Sequence, residues 1–404
     1  MHKKKNEINR LLTVWTISLL ATAALGTTAS AQEGEKSFEV YGFAMLDYIQ
    51  DFNRVDPAWR DTLRPSKIPT SDGQFGQDGE ASVSAKQSRL GVKSTLPVDA
   101  HNLDTKLEFD FFGVGVDEGQ TTIRLRHAYG EWGQWLAGQT NSVFMDIDVF
   151  PNVIDYWGPT GMVFYRTPQL RWSPMKGDQN VSVAIEVPGP AIDPGNIRVV
   201  DPDFGDSIQA RSKLPDLTAM YRVNKDWGHL QLSGILRSLG FETLGNSGNN
   251  PNDDEIGWGL NFGSNFQATA NDKLILSAVY GHGISNYMND GGTDLAPEGE
   301  AIGGLSAKAV PLLGLTAYID HTWNEQWTSS VGYSQTSVDN TSFQADDAYK
   351  RGEYASINAL YKPAKNLMSG IEVLWGSRTD KNDAYGSDFR TQVSMKYDFS
   401  SKDF

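Results

Sequence analysis

The chain has 404 residues, with 35 Lys and Arg against 50 Asp and Glu, a formal net charge of −15 and no cysteine. The acidic balance argues against a nucleic-acid partner, and the missing thiols exclude disulfides and thiol chemistry. The 11 Trp, 15 Tyr, 18 Phe and 40 Gly go with a mean hydropathy of −0.41, a mixture that suits aromatic girdles around a polar lumen better than a large dry core.

Residues 1–31 read as an address rather than as structure. Lys3, Lys4, Lys5 and Arg10 form a basic n-region, Leu11 to Leu25 an apolar h-region, and Ala29-Ser30-Ala31 an A-x-A cleavage site. The apolar run is short of the ~20 residues that cross a bilayer. A signal peptide is therefore expected rather than an anchor, with Gln32 as the mature start. Its loss removes four basic groups and one acid and leaves about −18. Residues 32–37 are then a short periplasmic segment and 38–404 one β domain.

From Phe38 onward, alternating segments are separated by turn signals. Phe38 to Gln50 is followed by a long polar loop with Pro57, Pro65 and Pro69. Ser82 to Ser94 and Leu103 to Phe111 come next; in the latter Leu103, Leu107, Phe109 and Phe111 alternate with Asp104, Lys106, Glu108 and Asp110. Residues 121–172 organise the rest: a strand, a tight reversal, a second strand, a long loop and a third strand. In the first of these, period two puts Arg124 and Arg126 on one face and Ile123, Leu125, His127 and Tyr129 on the other. The loop 141–161 carries Phe144, Phe150 and Trp157 with Asp146, Asp148 and Asp155, and is too apolar for a solvated tip. Further strands follow at Val181 to Val187, Leu217 to Val223, Leu230 to Leu239, Ile256 to Phe262 and Leu274 to Gly281. The series ends with Leu315 to Trp323, Thr328 to Gln335, Tyr354 to Tyr361, Leu367 to Gly376 and Thr391 to Phe399.

Counted together these give about 16 strands, an even number, with short connections after even strands and long ones after odd strands. That two-sided alternation predicts an all-β fold, a 16-stranded antiparallel transmembrane barrel with both termini on the short-turn side. Residues 141–161 become its third outer loop, folded inward.

A family resemblance rests on YGFAMLDYI (41–49), QSRLGVK (87–93), RLRHAYGEW (124–132), DVFPNVIDYWGP (148–159) and QLRW (169–172). The architecture is similar to trimeric bacterial porins, and these runs resemble the DcaP-type porins, which take up dicarboxylates. The resemblance implies an outer-membrane channel, a homotrimer, and a third loop that narrows the lumen. It implies no cofactor and no enzymatic activity. The chain departs from the family in having only Gln32 to Ser37 before the barrel. It also ends in an overhang, Ser400 to Phe404, beyond Tyr397 and Phe399.

A charge on the lipid face costs ~2–4 kcal/mol at the midplane, so strand cations should point inward. Arg89, Lys93, Arg124, Arg126, Arg166, Arg171 and Arg237 are therefore the candidate pore-lining cations. Arg166 and Arg171 differ in parity, which a bulge near Thr167-Pro168 would reconcile. Inward acids such as Glu108, Asp110 and Glu186 are the alternative partners of these cations. Phe144, Asp146, Asp148, Phe150, Asp155 and Trp157 are the candidate constriction-loop residues. Their aromatics either dock the loop or form a slide for a solute. His127 has lipid-side parity and no partners that would make a metal site. Neither a catalytic elbow nor a P-loop or dinucleotide fingerprint is present. Small anionic solutes, outer-membrane lipid and lipopolysaccharide are the expected partners. A general or carbohydrate-preferring porin and a structural barrel stay open. Loop acids either solvate the chain or bridge divalent cations to lipopolysaccharide.

Overall fold

The structure, a computed structural model, describes residues 36–113, 122–245, 252–299 and 306–404. The signal-like segment 1–31 and the start of the short segment after it lie outside the described residues. The strands are β1 (Ser37–Asp51), β2 (Glu80–Ser84 continued by Arg89–Val98), β3 (His101–Asp110), β4 (Arg124–Trp132) and β5 (Trp135–Asn141). Then come β6 (Arg166–Met175), β7 (Gln179–Glu186), β8 (Ile208–Ala210 continued by Asp216–Lys225), β9 (Gly228–Thr243), β10 (Asn252–Gln267) and β11 (Asp272–His282). The last five are β12 (Pro311–Thr322), β13 (Trp327–Val338), β14 (Tyr349–Ala364), β15 (Leu367–Asp380) and β16 (Tyr385–Ser400).

Each strand pairs antiparallel with its chain neighbours, and β16 returns to β1 from Tyr41↔Ser400 to Asp51↔Arg390. The 16-stranded barrel is closed. Closure leaves no sheet edge, which is what hydrocarbon surroundings demand of a backbone. The period-two pattern sets the faces. On β9, Leu230, Leu232 and Leu236 are exposed on the outside, while Gln231, Ser233 and Arg237 are buried within. At the short-turn end, Trp132, Trp135, Trp172, Trp227 and Trp327 stand outside as a girdle.

One expected strand, Ser82 to Ser94, is interrupted. β2 breaks at residues 85–88, where Lys86 and Gln87 turn to Asp61 and Asp47 of the interior. Leu217 to Val223, by contrast, lies whole within Asp216–Lys225 and is preceded, in what was expected to be loop, by the short strand Ile208–Ala210. The alternation of short and long connections has one exception, since the last outer connection is only residues 381–384.

The parity of β4 differs from its sequence reading. Glu108 pairs with His127 and Phe109 with Leu125, so Arg126 is the extra residue of a bulge. Arg124 stays opposite Asp110 on the inner face, and Arg126 joins it. Beyond the bulge His127 and Tyr129 turn inward instead of toward lipid. His127 is buried, with Nδ1 2.9 Å from Thr140 Oγ1. The ladder between β4 and β5 stops at Ala128↔Gln139, next to Gly138. That residue has φ +128°, and a Cβ there would lie 2.2 Å from the Ala128 carbonyl oxygen, so only glycine fits.

The bulge expected at Thr167-Pro168 is absent. The β5–β6 ladder is unbroken from Trp135↔Trp172 to Asn141↔Arg166. Arg171 is on the inner face, whereas Arg166 shares the outer parity of Pro168, Leu170 and Trp172. The shift lies on the other edge of β6, between Trp172 and Met175.

Three outer loops fold into the barrel, where the sequence pointed to one. Loop 1 (52–79) sends Val55, Leu63 and Ile68 into a cluster with Val149 and Met162 of loop 3 (142–165). Inward-facing Ile275, Tyr318, Tyr354 and Leu374 complete that cluster. Loop 6 (283–310) sends Ile284, Tyr287, Met288 and Val310 against Phe144, Met145 and Val163 of loop 3 and Ile235, Val279 and Leu312 of the wall. Burying each such side chain contributes roughly 1.5–3 kcal/mol. These apolar inward residues break the polar-lumen rule because loops, not water, cover them.

Candidate functional site

Loop 3 runs around the inner wall and is fixed to it by hydrogen bonds at nearly every step. Glu186 on β7 accepts from Val143 N at 2.9 Å, and Asn261 on β10 donates to the Phe144 carbonyl at 2.9 Å. Asp146 caps the short helical turn Ile147–Val149 and meets His229 Nε2 at 2.6 Å. Arg222 on β8 holds both Asp146, at 3.4 Å, and Asp148, at 2.6 Å. Asn358 donates to Asn152 O at 2.8 Å, and Glu372 on β15 accepts from Ile154 N at 2.7 Å. Asp155 accepts from Thr62 Oγ1 (2.8 Å), Leu63 N (3.1 Å), Gly158 N (3.1 Å) and Tyr354 Oη (3.3 Å). Burial pushes its carboxyl above the ordinary value, against the pull of Arg390 and these donors.

The segment then crosses the lumen. Tyr156 Oη donates to Asp110 Oδ2 at 2.6 Å and its ring stacks on Phe112 with centroids 3.8 Å apart. Trp157 Nε1 donates to Asn289 O of loop 6 at 2.5 Å, and its ring lies edge-on to Trp59 of loop 1. Phe150 covers Gly158, whose φ is +74°, and a Cβ there would meet the Phe150 ring at 2.8 Å. Phe144 is fully buried in the loop 6 cluster.

The basic wall is partly neutralised. Arg126 donates to Glu108 and Asp110, both at 2.9 Å, and to Tyr156 Oη at 3.0 Å. Arg124 makes a two-point contact with Asp110, at 3.2 and 2.9 Å. Arg89 lies 3.5 Å from Glu108 and over the Phe43 ring, and Lys93 lies 3.2 Å from Glu39 and is half exposed. Arg171 donates to Gln169 Oε1 at 2.9 Å and to Asn141 O. Arg237 is fully buried between Asp216 and Asp294, each at 3.0 Å, with its guanidinium over Tyr287. It anchors loop 6 and has no exposure to a solute path. Among the described residues Arg166 has no carboxylate partner; its guanidinium lies 5.0 Å above the Phe164 ring.

Arg64, Arg124 and Arg166 line one cavity of about 370 Å³ with Tyr156, Trp157, Phe164, Tyr165 and loop 6 residues of the run Ser285 to Gly292. Arg166 reaches it at the top rung of β6, level with the place where β4 and β5 no longer pair. Arg64 lies between the Trp59 and Trp157 rings, 4.1 and 4.4 Å from their centroids, and donates to Asp290.

The sequence-derived set is thus divided by the fold. Arg124 and Arg166 meet at the cavity; Arg89 and Arg126 stand behind Arg124 on the Glu108–Asp110 cluster. Lys93 is toward the short-turn end and Arg237 is a loop anchor. The loop carboxylates do not face these arginines. Asp146 and Asp155 are 1 % and 2 % exposed, and Asp146 and Asp148 pair with Arg222, which the sequence reading passed over. It also missed Arg64, because a loop arginine carries no parity, and Tyr156, because its partners lie on β3 and β4. No group of three or more metal-ligating side chains occurs among the described residues.

The fold has solved relatives. The outer membrane channel DcaP of Acinetobacter baumannii superposes with a TM-score of 0.77 at 23 % identity, over 92 % of this chain and 100 % of that one. The trimer form of OmpT from Vibrio cholerae gives 0.56 at 10 % identity over 91 % and 100 % of the two chains. An anion-selective porin from Comamonas acidovorans gives 0.54 at 10 % over 90 % and 100 %. No curated protein sequence matches the chain. The DcaP outer membrane protein family matches residues 3–399. With the closed barrel, its girdle and its inward third loop, the chain belongs to that family and is an outer-membrane porin.

Proposed function

We propose that this porin passes small anionic solutes such as dicarboxylates by diffusion. One observation carries the reading. The cavity beside the third loop is lined by three arginines and by no acidic residue among those described. Asp110 and Asp290 sit behind Arg124 and Arg64, and among the described residues Arg166 has no carboxylate in ion-pair contact. The acids of the third loop nearest the wall, Asp146 and Asp155, are buried against it rather than turned to this cavity. In a narrow lumen, walls of low dielectric focus the field of such cations, while exposed loop charges are screened beyond ~8 Å at physiological ionic strength. A planar guanidinium can hold a carboxylate by two parallel hydrogen bonds. The selectivity in the name of the Comamonas relative agrees with this reading. A sugar slide would need free ring faces, and here Arg64 covers Trp157 and Arg166 covers Phe164.

The reading also includes removal of residues 1–31, a short periplasmic segment 32–37, a homotrimer, and loop acids that meet lipopolysaccharide. The trimer form of a structural relative supports the assembly. Reversal potentials in planar bilayers under a KCl gradient test the core of it. Chloride preference in the parent, reduced in Arg166→Ala, is expected. Cation preference untouched by that substitution would refute the anionic reading and leave a general porin; no current at all would leave a structural barrel.

A further inference from the structure

We infer that Lys93 and Lys106 form a second anion station on the short-turn side of the constriction, which takes the carboxylate of a solute on its way to or from the cavity of Arg124 and Arg166. The inference rests on the anion reading above and adds a site that the cavity does not contain.

Register places the pair. Lys93 on β2 is directly opposite Lys106 on β3, with Glu39 on β1 beyond Lys93 and Tyr129 on β4 beyond Lys106. Leu96, Val98 and Leu107 are exposed on the outer face, so both lysines, which have the opposite parity, face the lumen. Their side chains are 51 % and 27 % exposed. Like charges in direct opposition destabilise a sheet; stability alone would place a carboxylate at one of the two positions.

The wall around them is short of carboxylates. Lys93 and Lys402 share Glu39, each at 3.2 Å. Lys106 (3.2 Å), Arg89 (3.5 Å) and Arg126 (2.9 Å) share Glu108, which also accepts from Tyr41 Oη at 2.7 Å. Asp104, one rung nearer the turn, accepts from Thr95 Oγ1 at 2.6 Å, and counting it still leaves the cations in excess. An ammonium has three donors, and among the described residues each of these two meets one carboxylate.

Aromatic rings hold the cations off the wall. Lys93 Nζ and Lys106 Nζ lie 5.0 and 5.8 Å from the centre of the Tyr41 ring. That ring lies on Gly91, where a Cβ would come within 2.5 Å of its Cζ, so a larger residue would displace it. At the next inward position of β1, Arg89 and Lys396 flank the Phe43 ring in the same way, at 5.1 and 4.7 Å. A row of cations thus runs from Arg124 beside the cavity, through Arg89, to Lys93 and Lys106. Lys106 is four residues along β3 from Asp110, the partner of Arg124, or about 13 Å at ~3.3 Å per residue. A small dicarboxylate cannot span that distance, so it is held at one place or the other and passes between them. Two weak sites in series let a solute both enter and leave.

Succinate is the probe. It is added to one side, then the other, of single channels of the full barrel in planar bilayers, and the rate at which it interrupts the current is read for each side. The proteins are the parent, Lys93→Gln with Lys106→Gln, Lys93→Arg with Lys106→Arg, and Arg166→Ala. Glu39 keeps Lys402, and Glu108 keeps Arg89 and Arg126, so the glutamine pair leaves no carboxylate without a cation. In that variant one of the two side-specific rates should fall about fivefold while the other holds, and the arginine pair should retain both. Lys93→Gln alone, at the more exposed site, serves if the double variant forms no channels. Both rates unchanged, or both lowered equally, overturns the inference. If Arg166→Ala relieves the block while the glutamine pair changes neither rate, only the lysine station falls. If succinate never interrupts the parent and Arg166→Ala leaves the reversal potential unchanged, the anion reading falls and the station with it.

Discussion

Arg64 Nη2 and Asp290 Oδ1 meet at 2.7 Å across 226 residues of sequence, and their contact ties loop 1 to loop 6 over the face of Trp157 in loop 3. Three loops that enter the barrel separately are joined at one side chain. Charge-assisted hydrogen bonds to a mostly buried carboxylate contribute ~1.5–3 kcal/mol. Arg64→Ala should lower barrel stability by about that much. It should also raise open-channel noise, because loops 1 and 6 lose their shared anchor. Thermal unfolding in detergent and single-channel recording measure the two effects. Unchanged noise with lowered stability would mean that the clasp does not limit loop motion.

The two cavity arginines on strands should behave differently. Among the described residues Arg166 has no carboxylate partner, so Arg166→Ala should reduce chloride preference with little loss of stability. Arg124→Ala should reduce it too, and should also destabilise, since Asp110 loses a two-point partner in a buried cluster. The comparison reads reversal potential against unfolding midpoint. Equal destabilisation by both substitutions would contradict the unpaired placement of Arg166.

Cysteine labelling can test how loop 3 lies. Asp148 has a side chain 47 % exposed, while Asp146 and Asp155 are buried. A small methanethiosulfonate reagent should modify Asp148→Cys within minutes and leave cysteines at 146 and 155 largely unmodified in the folded barrel. Rapid modification at 155 would show that the loop 1 side of the third loop is open to the lumen.

The raised carboxyl of Asp155 gives a pH dependence of definite sign. Between its ordinary value of 3.8 and the raised one, the folded barrel keeps a proton that the unfolded chain has released. Stability from this group therefore falls as pH climbs through that window and stays at its lower level above it. Asp155→Asn keeps an acceptor oxygen and removes the titration. The unfolding midpoint of the parent relative to this variant should decline from about pH 4 upward. A rise over the same range would mean that Arg390 and the four donors outweigh burial.

What the sequence determined by itself was the architecture. Lipid outside, a wet or loop-filled interior and a fully paired backbone force period-two alternation and two-sided connections. Those constraints are local, so Leu230 to Leu239 or Leu103 to Phe111 can be read without knowing their neighbours. The family motifs came with them.

Only the tertiary structure decided which charges remain free. The Arg126 bulge depends on the register between β3 and β4, and turned His127 and Tyr129 to the other face. Arg166 lies off the inner parity, yet reaches the cavity because the β4–β5 ladder ends early. Asp155 looked like a pore acid, but Thr62 and Leu63, more than 90 residues away, claim it. Ile154 is held from Glu372, 218 residues away. Strand parity tells which way a side chain leaves the backbone. Whether it then meets water, a solute or another loop depends on contacts between distant segments, which alternation does not encode.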